Sequence, residues 1–164
     1  MIRQAVKSDI PELVKIAALQ VVGPLPQVAK DPVKIAAAFE LALKNKDCML
    51  LTAVSEAGGH QGYALTHWIP FPLLAGMEAY VSDLMVSPAF RGLGVGSQLL
   101  EAVEAEAEKR HCVRVMLNNP KEAESFRRNY YRKRGYQERI NFANFVKIMN
   151  APEEVDRAIA VKPQ

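Results

Sequence analysis

Alternating apolar and polar positions predict β-strands in five segments of the chain. The segments cover residues 2–6, 48–55, 61–69, 77–86 and 112–118. Between the second and the third lies EAGGH (56–60), whose paired glycines permit the positive backbone angles of a tight hairpin. These two strands are therefore predicted to be antiparallel neighbours. Residues 136–149 are predicted to supply one or two closing strands.

Apolar residues at helical spacing predict four helices. They lie in residues 12–20, 32–45, the segment that begins at Val95, and 121–134. Ser8-Asp9 and Asp31 are placed to cap the first two helices, and Gly135 is placed to end the last.

The order of these elements is β-α-α-β-β-β-α-β-α-β-β, which combines hairpins with crossover connections. It predicts an α/β (α+β) fold with a mixed, mostly antiparallel sheet and helices on both faces. No repeat or linker divides the chain, so we expect one domain over residues 1–150 and a peripheral tail over 151–164.

Composition narrows the function classes only modestly. Hydrophobic residues make up 49% of the chain, charged residues 24%, and the formal net charge is +3, as in an ordinary folded domain. Cys48 and Cys112 form no CxxC pair and the three histidines lack metal-ligand spacing, so we expect a reducing compartment and no metal. The N-terminus lacks a signal-peptide pattern, which predicts a cytoplasmic protein.

The segment LMVSPAFRGLGVGSQLL (84–100) joins a predicted strand to a predicted helix through a run of glycines. Glycines let the backbone approach a ligand closely, and the first amides of a helix point unpaired donors outward. This context favours a pyrophosphate. The segment is neither the GxxxxGK of a P-loop nor the opening of a βαβ dinucleotide site.

RGLGVG (91–96) resembles the pyrophosphate loop, (Q/R)-x-x-G-x-(G/A), of the GNAT superfamily of N-acetyltransferases. As in that family, a strand ending L-x-V-x-P precedes it, here residues 84–88. ESFRRNYYRKRGY (124–136) is similar to the family's helix motif, with Tyr131 four residues before Gly135. EAGGHQGYALT (56–66) resembles the family's hairpin. The matches together span residues 2–149.

The resemblance implies an acyltransferase that uses acetyl-CoA as acyl donor and needs no metal. It assigns Tyr131 the role of protonating the departing thiolate, with Tyr130 as the fallback. Backbone groups of the strand end would bond the pantetheine arm and the amides of the loop would hold the pyrophosphate. The residues assigned to the cofactor are Leu84, Met85, Val86, Arg91, Gly92, Leu93, Gly94, Val95, Gly96, Ser97, Asn119 and Tyr131.

An amine is mostly protonated at neutral pH and must lose a proton before it attacks a thioester. Asp83 and Glu78, on the strand before the loop, are the candidate bases. Strict alternation predicts that they point to opposite faces, with Glu78, Tyr80, Ser82 and Leu84 on one of them. The sequence does not choose between the two carboxylates.

We expect the acceptor to be a primary amine of a small molecule, between walls formed by residues 22–32 and 70–77. A protein or peptide N-acetyltransferase is the alternative within the enzyme class, and a non-catalytic acyl-CoA sensor is the alternative outside it. A nucleic-acid-binding role for the Arg-rich segment 127–134 is weaker because the net charge is small. We expect neither a nucleic acid nor a membrane as partner, and homodimerisation from the habit of the family.

Overall fold

The computed structural model describes residues 1–19 and 31–147. Residues 1–19 and 31–118 form one compact unit, and residues 119–147 belong to a second. The single domain over 1–150 stays a prediction, and the tail 151–164 lies outside the described residues. Within the described ranges, no helix is long and apolar enough to cross a membrane.

The first unit is built on a five-stranded sheet whose spatial order follows the chain. The first four strands pair antiparallel, as hairpin connections dictate, and the fifth pairs parallel to the fourth after a helical crossover. The strands are β1 (Ile2–Gln4), β2 (Cys48–Val54), β3 (His60–Phe71), β4 (Gly76–Val86) and β5 (Cys112–Leu117).

Three helices of the first unit are α1 (Ile10–Ala18), α2 (Pro32–Lys44) and α3 (Val95–Lys109). The predicted cap of α2 is confirmed, because the Asp31 carboxylate accepts hydrogen bonds from the N–H groups of Val33 (3.0 Å) and Lys34 (3.3 Å). The predicted loop between α1 and α2 lies mostly outside the described residues.

The helices bury the two faces of the sheet separately. On the face covered by α3, Leu99 and Val103 pack against a cluster that includes Trp68, Ala79 and Val81. On the face covered by α1 and α2, an apolar cluster joins Leu13, Ile16, Phe39, Leu50 and Tyr63. These are called the α3 face and the α1/α2 face below. The predicted mixed, mostly antiparallel sheet with helices on both faces is confirmed.

Strand β4 contains one more residue than the part of β3 that it pairs with. Thr66 pairs with Val81, but its neighbour Leu65 pairs with Asp83, so Ser82 is an extra residue without a partner on β3. Such a β-bulge reverses the alternation of side chains beyond it.

The bulge overturns the predicted facing of the two candidate carboxylates. Ala79 lies on the α3 face, so its neighbour Glu78 points to the α1/α2 face. Asp83 also points to the α1/α2 face, because its partner Leu65 packs there. Leu84 instead packs on the α3 face. The prediction of opposite faces is wrong because it assumed uninterrupted alternation.

In the second unit, the helix predicted over residues 121–134 is interrupted. It is reduced to α4 (Glu124–Arg127) and a separate 3₁₀ turn at Arg132–Arg134 that ends at Gly135 (φ +87°). The break is at Asn129, whose φ of +55° is left-handed, a conformation that asparagine tolerates better than most residues. Residues 136–147 contain no strand, so the predicted closing strands are wrong for that range.

A buried carboxylate ties the N-terminal segment to the sheet. Asp9 is 4% exposed and accepts two hydrogen bonds from the Arg3 guanidinium, at 2.7 and 2.8 Å. It also accepts one from the Val6 N–H (2.8 Å) and lies 3.0 Å from His60 Nε2. Its hydrogen bonds, above all those from Arg3, hold the pKa of the Asp9 carboxyl well below its usual range.

Replacing Asp9 with Asn should lower the free energy of unfolding at pH 7 by about 2–3 kcal/mol, because Arg3 loses its charge partner. A carboxyl whose folded-state pKa is depressed stabilises the fold above its unfolded pKa, about 3.9, and that contribution is lost as the pH falls. The gap between wild type and variant should therefore narrow below about pH 4.

Urea denaturation between pH 7 and pH 2.5 measures this gap. The control is Asp31→Asn, which keeps an equivalent helix cap and should cost less than about 0.5 kcal/mol. A gap between wild type and Asp9→Asn that stays constant with pH would contradict the assignment.

Candidate active site

The last part of β4 extends beyond its parallel neighbour. Pairing between β4 and β5 ends at Val81 and Leu117, whereas pairing between β4 and β3 continues to Val86. In the described part of the chain, no strand pairs with this end of β4 on the β5 side. Residues 82–85 of β4 thus lack a strand neighbour on the β5 side within the described residues, which suits pairing with an extended ligand that carries amide groups.

A glycine-rich turn connects this strand end to α3. After a 3₁₀ turn at Pro88–Phe90, Gly92 (φ +78°) and Gly94 (φ +83°) adopt left-handed conformations. Among the described residues, a Cβ on Gly92 would meet no atom within 4 Å, and one on Gly94 would meet Gln98 Nε2 at 3.9 Å. The space in front of both residues is therefore open to a ligand.

Helix α3 begins at Val95, which is buried, and Gly94 is its N-cap residue. Gly96 and Ser97 follow in the first turn of the helix. Arg91 and Leu93 are exposed on the turn, and Arg91 Nε donates a hydrogen bond to the Val86 carbonyl (3.3 Å). The residues predicted to hold the pyrophosphate thus surround one helix N-terminus.

Gly62 on β3 allows the end of β4 to approach closely. A Cβ at this position would lie 2.5 Å from the Met85 carbonyl oxygen and 3.3 Å from Leu99 Cδ1. Only glycine fits between β4 and α3 here, so this residue sets the position of the strand end.

On the α1/α2 face, the bulge residue Ser82 connects Asp83 to two further polar side chains. Ser82 Oγ donates to Asp83 Oδ2 (3.2 Å) and lies 2.9 Å from His67 Nε2. His67 Nδ1 lies 3.2 Å from Cys48 Sγ. The sequence analysis missed His67 and Cys48 as site residues. Their only signal was the hairpin, whose register pairs Cys48 with His67.

Burial governs the ionisation of this face. Burial raises the pKa of the Asp83 carboxyl, while the Ser82 hydroxyl and the His67 ring act in the opposite direction. The Tyr63 phenol has its pKa raised as well, by burial and by the nearby Asp83. Asp83 is thus a carboxylate with a higher proton affinity than an exposed one, as a general base requires.

Glu78, the other candidate base, is held in an ion pair. It is 2% exposed and forms a salt bridge with Arg114 Nε, its cross-strand neighbour on β5. The Arg114 guanidinium also lies 5.2 Å from the centre of the Phe71 ring. The structure therefore gives Glu78 a cationic partner within the sheet, whereas the partner of Asp83 among the described residues is the neutral Ser82 hydroxyl.

In the second unit, Tyr131 is part of a group of three tyrosine rings. Its ring centre lies 4.9 Å from that of Tyr130 and 5.8 Å from that of Tyr136, both edge to face. Burial, and to a smaller extent Tyr130, raises the pKa of Tyr131 to about 12. The phenol is therefore protonated at neutral pH. Asn119, also in this unit, accepts a hydrogen bond from Ser125 Oγ (2.9 Å).

Among residues 1–19 and 31–147, no group of three or more His, Cys, Asp or Glu side chains could hold a metal ion.

Comparison with known proteins identifies the chain's relatives. The family model described as "Acetyltransferase (GNAT) family" matches residues 17–136. No curated protein sequence matches the chain. Solved structures with the same fold include a transcriptional regulator from Bacillus halodurans C-125, with 24% identity and a TM-score of 0.77, covering 92% of this chain and 99% of that one.

Two further solved structures are described as N-acetyltransferases. Glucosamine-6-phosphate N-acetyltransferase from Arabidopsis thaliana has 19% identity and a TM-score of 0.71, covering 92% of this chain and 98% of its own. Ribosomal-protein-alanine N-acetyltransferase from Brucella melitensis biovar Abortus 2308 has 19% identity and a TM-score of 0.69, covering 91% and 99%. At such identities the likeness shows a common fold.

Replacing Glu78 with Gln should lower the free energy of unfolding by about 2–3 kcal/mol, because Arg114 loses a charged hydrogen-bond partner at a buried position. The matched control is Glu106→Gln, which removes the partner of Arg110 Nε on the surface of α3 (2.9 Å). An exposed helical pair of this kind contributes about 0.5 kcal/mol or less. Urea denaturation of both variants measures the difference, and equal losses would contradict the structural role of Glu78.

Proposed function

The chain belongs to the acetyltransferase (GNAT) family, an acyltransferase class of enzyme, and from this premise we propose that it is an acetyl-CoA-dependent N-acetyltransferase acting on a primary amine. The observation that carries the proposal is the course of β4. This strand separates from β5 after Val81, continues to Val86 and leads through glycines of positive φ into the N-terminus of α3. The edge of β4 suits the amide-bearing part of an elongated ligand, and the N-terminus of α3 suits its pyrophosphate.

In this proposal the backbone of Leu84, Met85 and Val86 pairs with the amides of the pantetheine arm. The amides from Arg91 to Ser97 bind the pyrophosphate, helped by the positive end of the α3 dipole. The open space in front of Gly92 and Gly94 supports this fit, since any side chain there would occupy it. Acetyl-CoA, when bound, supplies an activated acyl carbon with a thiolate leaving group.

Asp83 is the base of choice in this scheme. It takes one proton from the acceptor ammonium at a carboxylate oxygen, which leaves a neutral amine nitrogen able to attack. Two observations support it over Glu78: its pKa is raised by burial, and Glu78 is already paired with Arg114.

Tyr131 supplies the proton that the departing sulfur needs. Its Oη–H is the donor, since a phenol with a pKa of about 12 carries its proton at neutral pH. This role rests on the family motif that ends at Gly135.

A small-molecule amine is the first acceptor class to test, and a peptide N-terminus is the second. The two named acetyltransferases of the same fold act on a sugar phosphate and on a ribosomal protein, by their descriptions. Cytoplasmic location and homodimerisation stay predictions.

The deciding experiment is free-thiol release from acetyl-CoA in the presence of pooled amines, including polyamines, amino acids, aminoglycosides and peptides, with acetyl-CoA affinity measured by calorimetry. Thiol release that depends on one pool supports the enzyme and identifies the acceptor class. Tight binding of acetyl-CoA without release in any pool would favour a sensor, and absence of binding would overturn the proposal.

Replacing Gly94 with Ala should weaken acetyl-CoA binding at least about tenfold, because the methyl group enters the space proposed for the pyrophosphate. The matched control is Gly58→Ala in the β2–β3 hairpin, where φ is +82° and a Cβ would meet no atom of the described residues within 4 Å. Both variants bear a similar backbone strain of about 1–2 kcal/mol, so calorimetry should show the loss of affinity in the Gly94 variant alone. Equal affinities for acetyl-CoA would contradict the proposed site.

Replacing Tyr131 with Phe should lower kcat by about 10²–10³, because the phenol proton is lost while the ring is kept. Acetyl-CoA affinity should stay within about threefold of wild type. Tyr130→Phe, an identical change on the adjacent ring, is the control and should keep kcat nearly unchanged. Full turnover by Tyr131→Phe would remove its role as the acid, and a large loss in Tyr130→Phe would transfer that role to Tyr130.

A further inference from the structure

Three polar side chains from three neighbouring strands form a series of contacts that ends at Asp83 on the α1/α2 face. Cys48 on β2, His67 on β3 and the bulge residue Ser82 on β4 form a continuous series of contacts. The distances are 3.2 Å from Cys48 Sγ to His67 Nδ1, 2.9 Å from His67 Nε2 to Ser82 Oγ, and 3.2 Å from Ser82 Oγ to Asp83 Oδ2. We call these four residues the Asp83 chain.

The Asp83 carboxylate, at one end of the Asp83 chain, sets the direction of its hydrogen bonds. The Ser82 hydroxyl has two acceptors within reach, Asp83 Oδ2 at 3.2 Å and the Leu65 carbonyl oxygen at 3.4 Å. A carboxylate only accepts, and as the nearer and charged acceptor it takes the single proton of Ser82. Ser82 Oγ then accepts from the Nε2–H of His67, and the remaining ring nitrogen, Nδ1, accepts from the Cys48 thiol. Every donor in the chain therefore has an acceptor, and each bond polarises the next.

The state of Cys48 agrees with this direction. Burial, together with the nearby Asp47 carboxylate, raises the pKa of the Cys48 thiol. The sulfur therefore keeps its proton at neutral pH and acts as the donor that fixes the His67 tautomer.

The β-bulge makes the Asp83 chain possible. In an uninterrupted strand, residues 82 and 83 would point to opposite faces of the sheet. As the extra residue of β4, Ser82 instead contacts both the His67 ring and the adjacent Asp83 side chain on the same face. In the described part of the chain, Asp83 Oδ1 has no hydrogen-bond partner.

We propose that Cys48, His67 and Ser82 are positioning residues for Asp83, because their hydrogen bonds hold Oδ2 and so present Oδ1 to the acceptor ammonium. This inference rests on the proposed function, in which Asp83 is the base. In the step concerned, the N–H bond of the ammonium breaks, an O–H bond forms at Oδ1, and the neutral amine keeps the electron pair with which it attacks. Water later removes the proton from Oδ1, and no other reactant is consumed.

The other ionisable groups near this face are accounted for by their own contacts. Tyr80 lies 6.2 Å from the His67 ring and accepts a hydrogen bond from Asn118 (3.2 Å), while Tyr63 is buried beside Asp83. The charged side chains of α1, α2 and β5 are exposed or ion-paired: Glu12 with Lys15, Glu40 with Lys7, Lys34 with Asp31, Glu78 with Arg114, and Lys44 exposed.

The first test follows the titration of the Asp83 carboxyl carbon by ¹³C NMR in the ligand-free protein. Since the Ser82 hydrogen bond favours the charged carboxylate, Ser82→Ala should move the titration midpoint of Asp83 upward by about one pH unit. Ser82→Thr, which restores a hydroxyl, should return it. His67→Phe keeps a ring but loses the donor and should move the midpoint upward by about half a unit, whereas His67→Gln keeps a donor and should move it less.

The second test is the pH profile of kcat/KM with the acceptor found by thiol release. Its acidic limb should move to higher pH by the same amounts in the same variants. At a fixed pH on that limb, kcat/KM should therefore fall up to about tenfold. Acetyl-CoA affinity should stay unchanged. A merely structural role would lower the amount of folded protein without moving the limb. The control is His111→Asn. His111 lies in the turn between α3 and β5 with φ +55°, which asparagine tolerates. This variant should leave both the acidic limb and the Asp83 titration unchanged.

An Asp83 titration that does not move in folded Ser82→Ala protein would overturn the inference, whatever the activity. A shift in the Asp83 titration without a matching shift of the acidic limb of kcat/KM would limit the Asp83 chain to a structural role and overturn its part in catalysis. If wild type releases no thiol with any amine, the proposed function fails and the positioning role fails with it. The NMR result still shows in that case whether the hydrogen-bonded chain exists.

Discussion

The single inserted residue in β4 is the constraint on which the candidate site depends. Ser82 has no partner on β3, so the strand side chains change faces at that point. Glu78 lies before the bulge and Asp83 after it, and both point to the α1/α2 face. Leu84 and Val86 are at the same time turned toward the α3 core. One bulge therefore lets the end of β4 pack on the α3 core with one side and present a carboxylate with the other.

Three carboxyl groups in the first unit, two buried and one half-buried, show how partners decide the role of a charge. Asp9 is surrounded by Arg3, His60 and a backbone N–H, and Glu78 by Arg114. Both are compensated and serve the fold. Among the described residues, the hydrogen-bond partner of Asp83 is a neutral serine hydroxyl, and burial raises the pKa of the Asp83 carboxyl. An incompletely compensated carboxylate is costly for stability but has the proton affinity that a base needs.

Glycine serves this site in two different ways. Gly92 and Gly94 have positive φ and open space in front of them, which suits a turn that faces a ligand. Gly62 has no such conformation, but a side chain there would collide with the Met85 carbonyl oxygen at 2.5 Å. The first two leave the space proposed for the pyrophosphate accessible, and the third lets the end of β4 approach β3 and α3 closely.

Local patterns were enough to predict the five strands of the first unit, the Asp31 cap, the start of α3 at Val95 and the glycine turn, because each depends on residues close together in the chain. They failed for the closing strands predicted over residues 136–149, since 136–147 contain no strand. The family motif likewise pointed to residues 84–97 and Tyr131. The facing of Asp83, the break at Asn129 and the contacts of His67 and Cys48 could not be predicted in this way. A bulge arises from how two strands pair, and a hydrogen-bonded chain across β2, β3 and β4 exists only after those strands have come together. Amino-acid order therefore defined the elements and the chemistry available, and tertiary packing decided which carboxylate meets which partner.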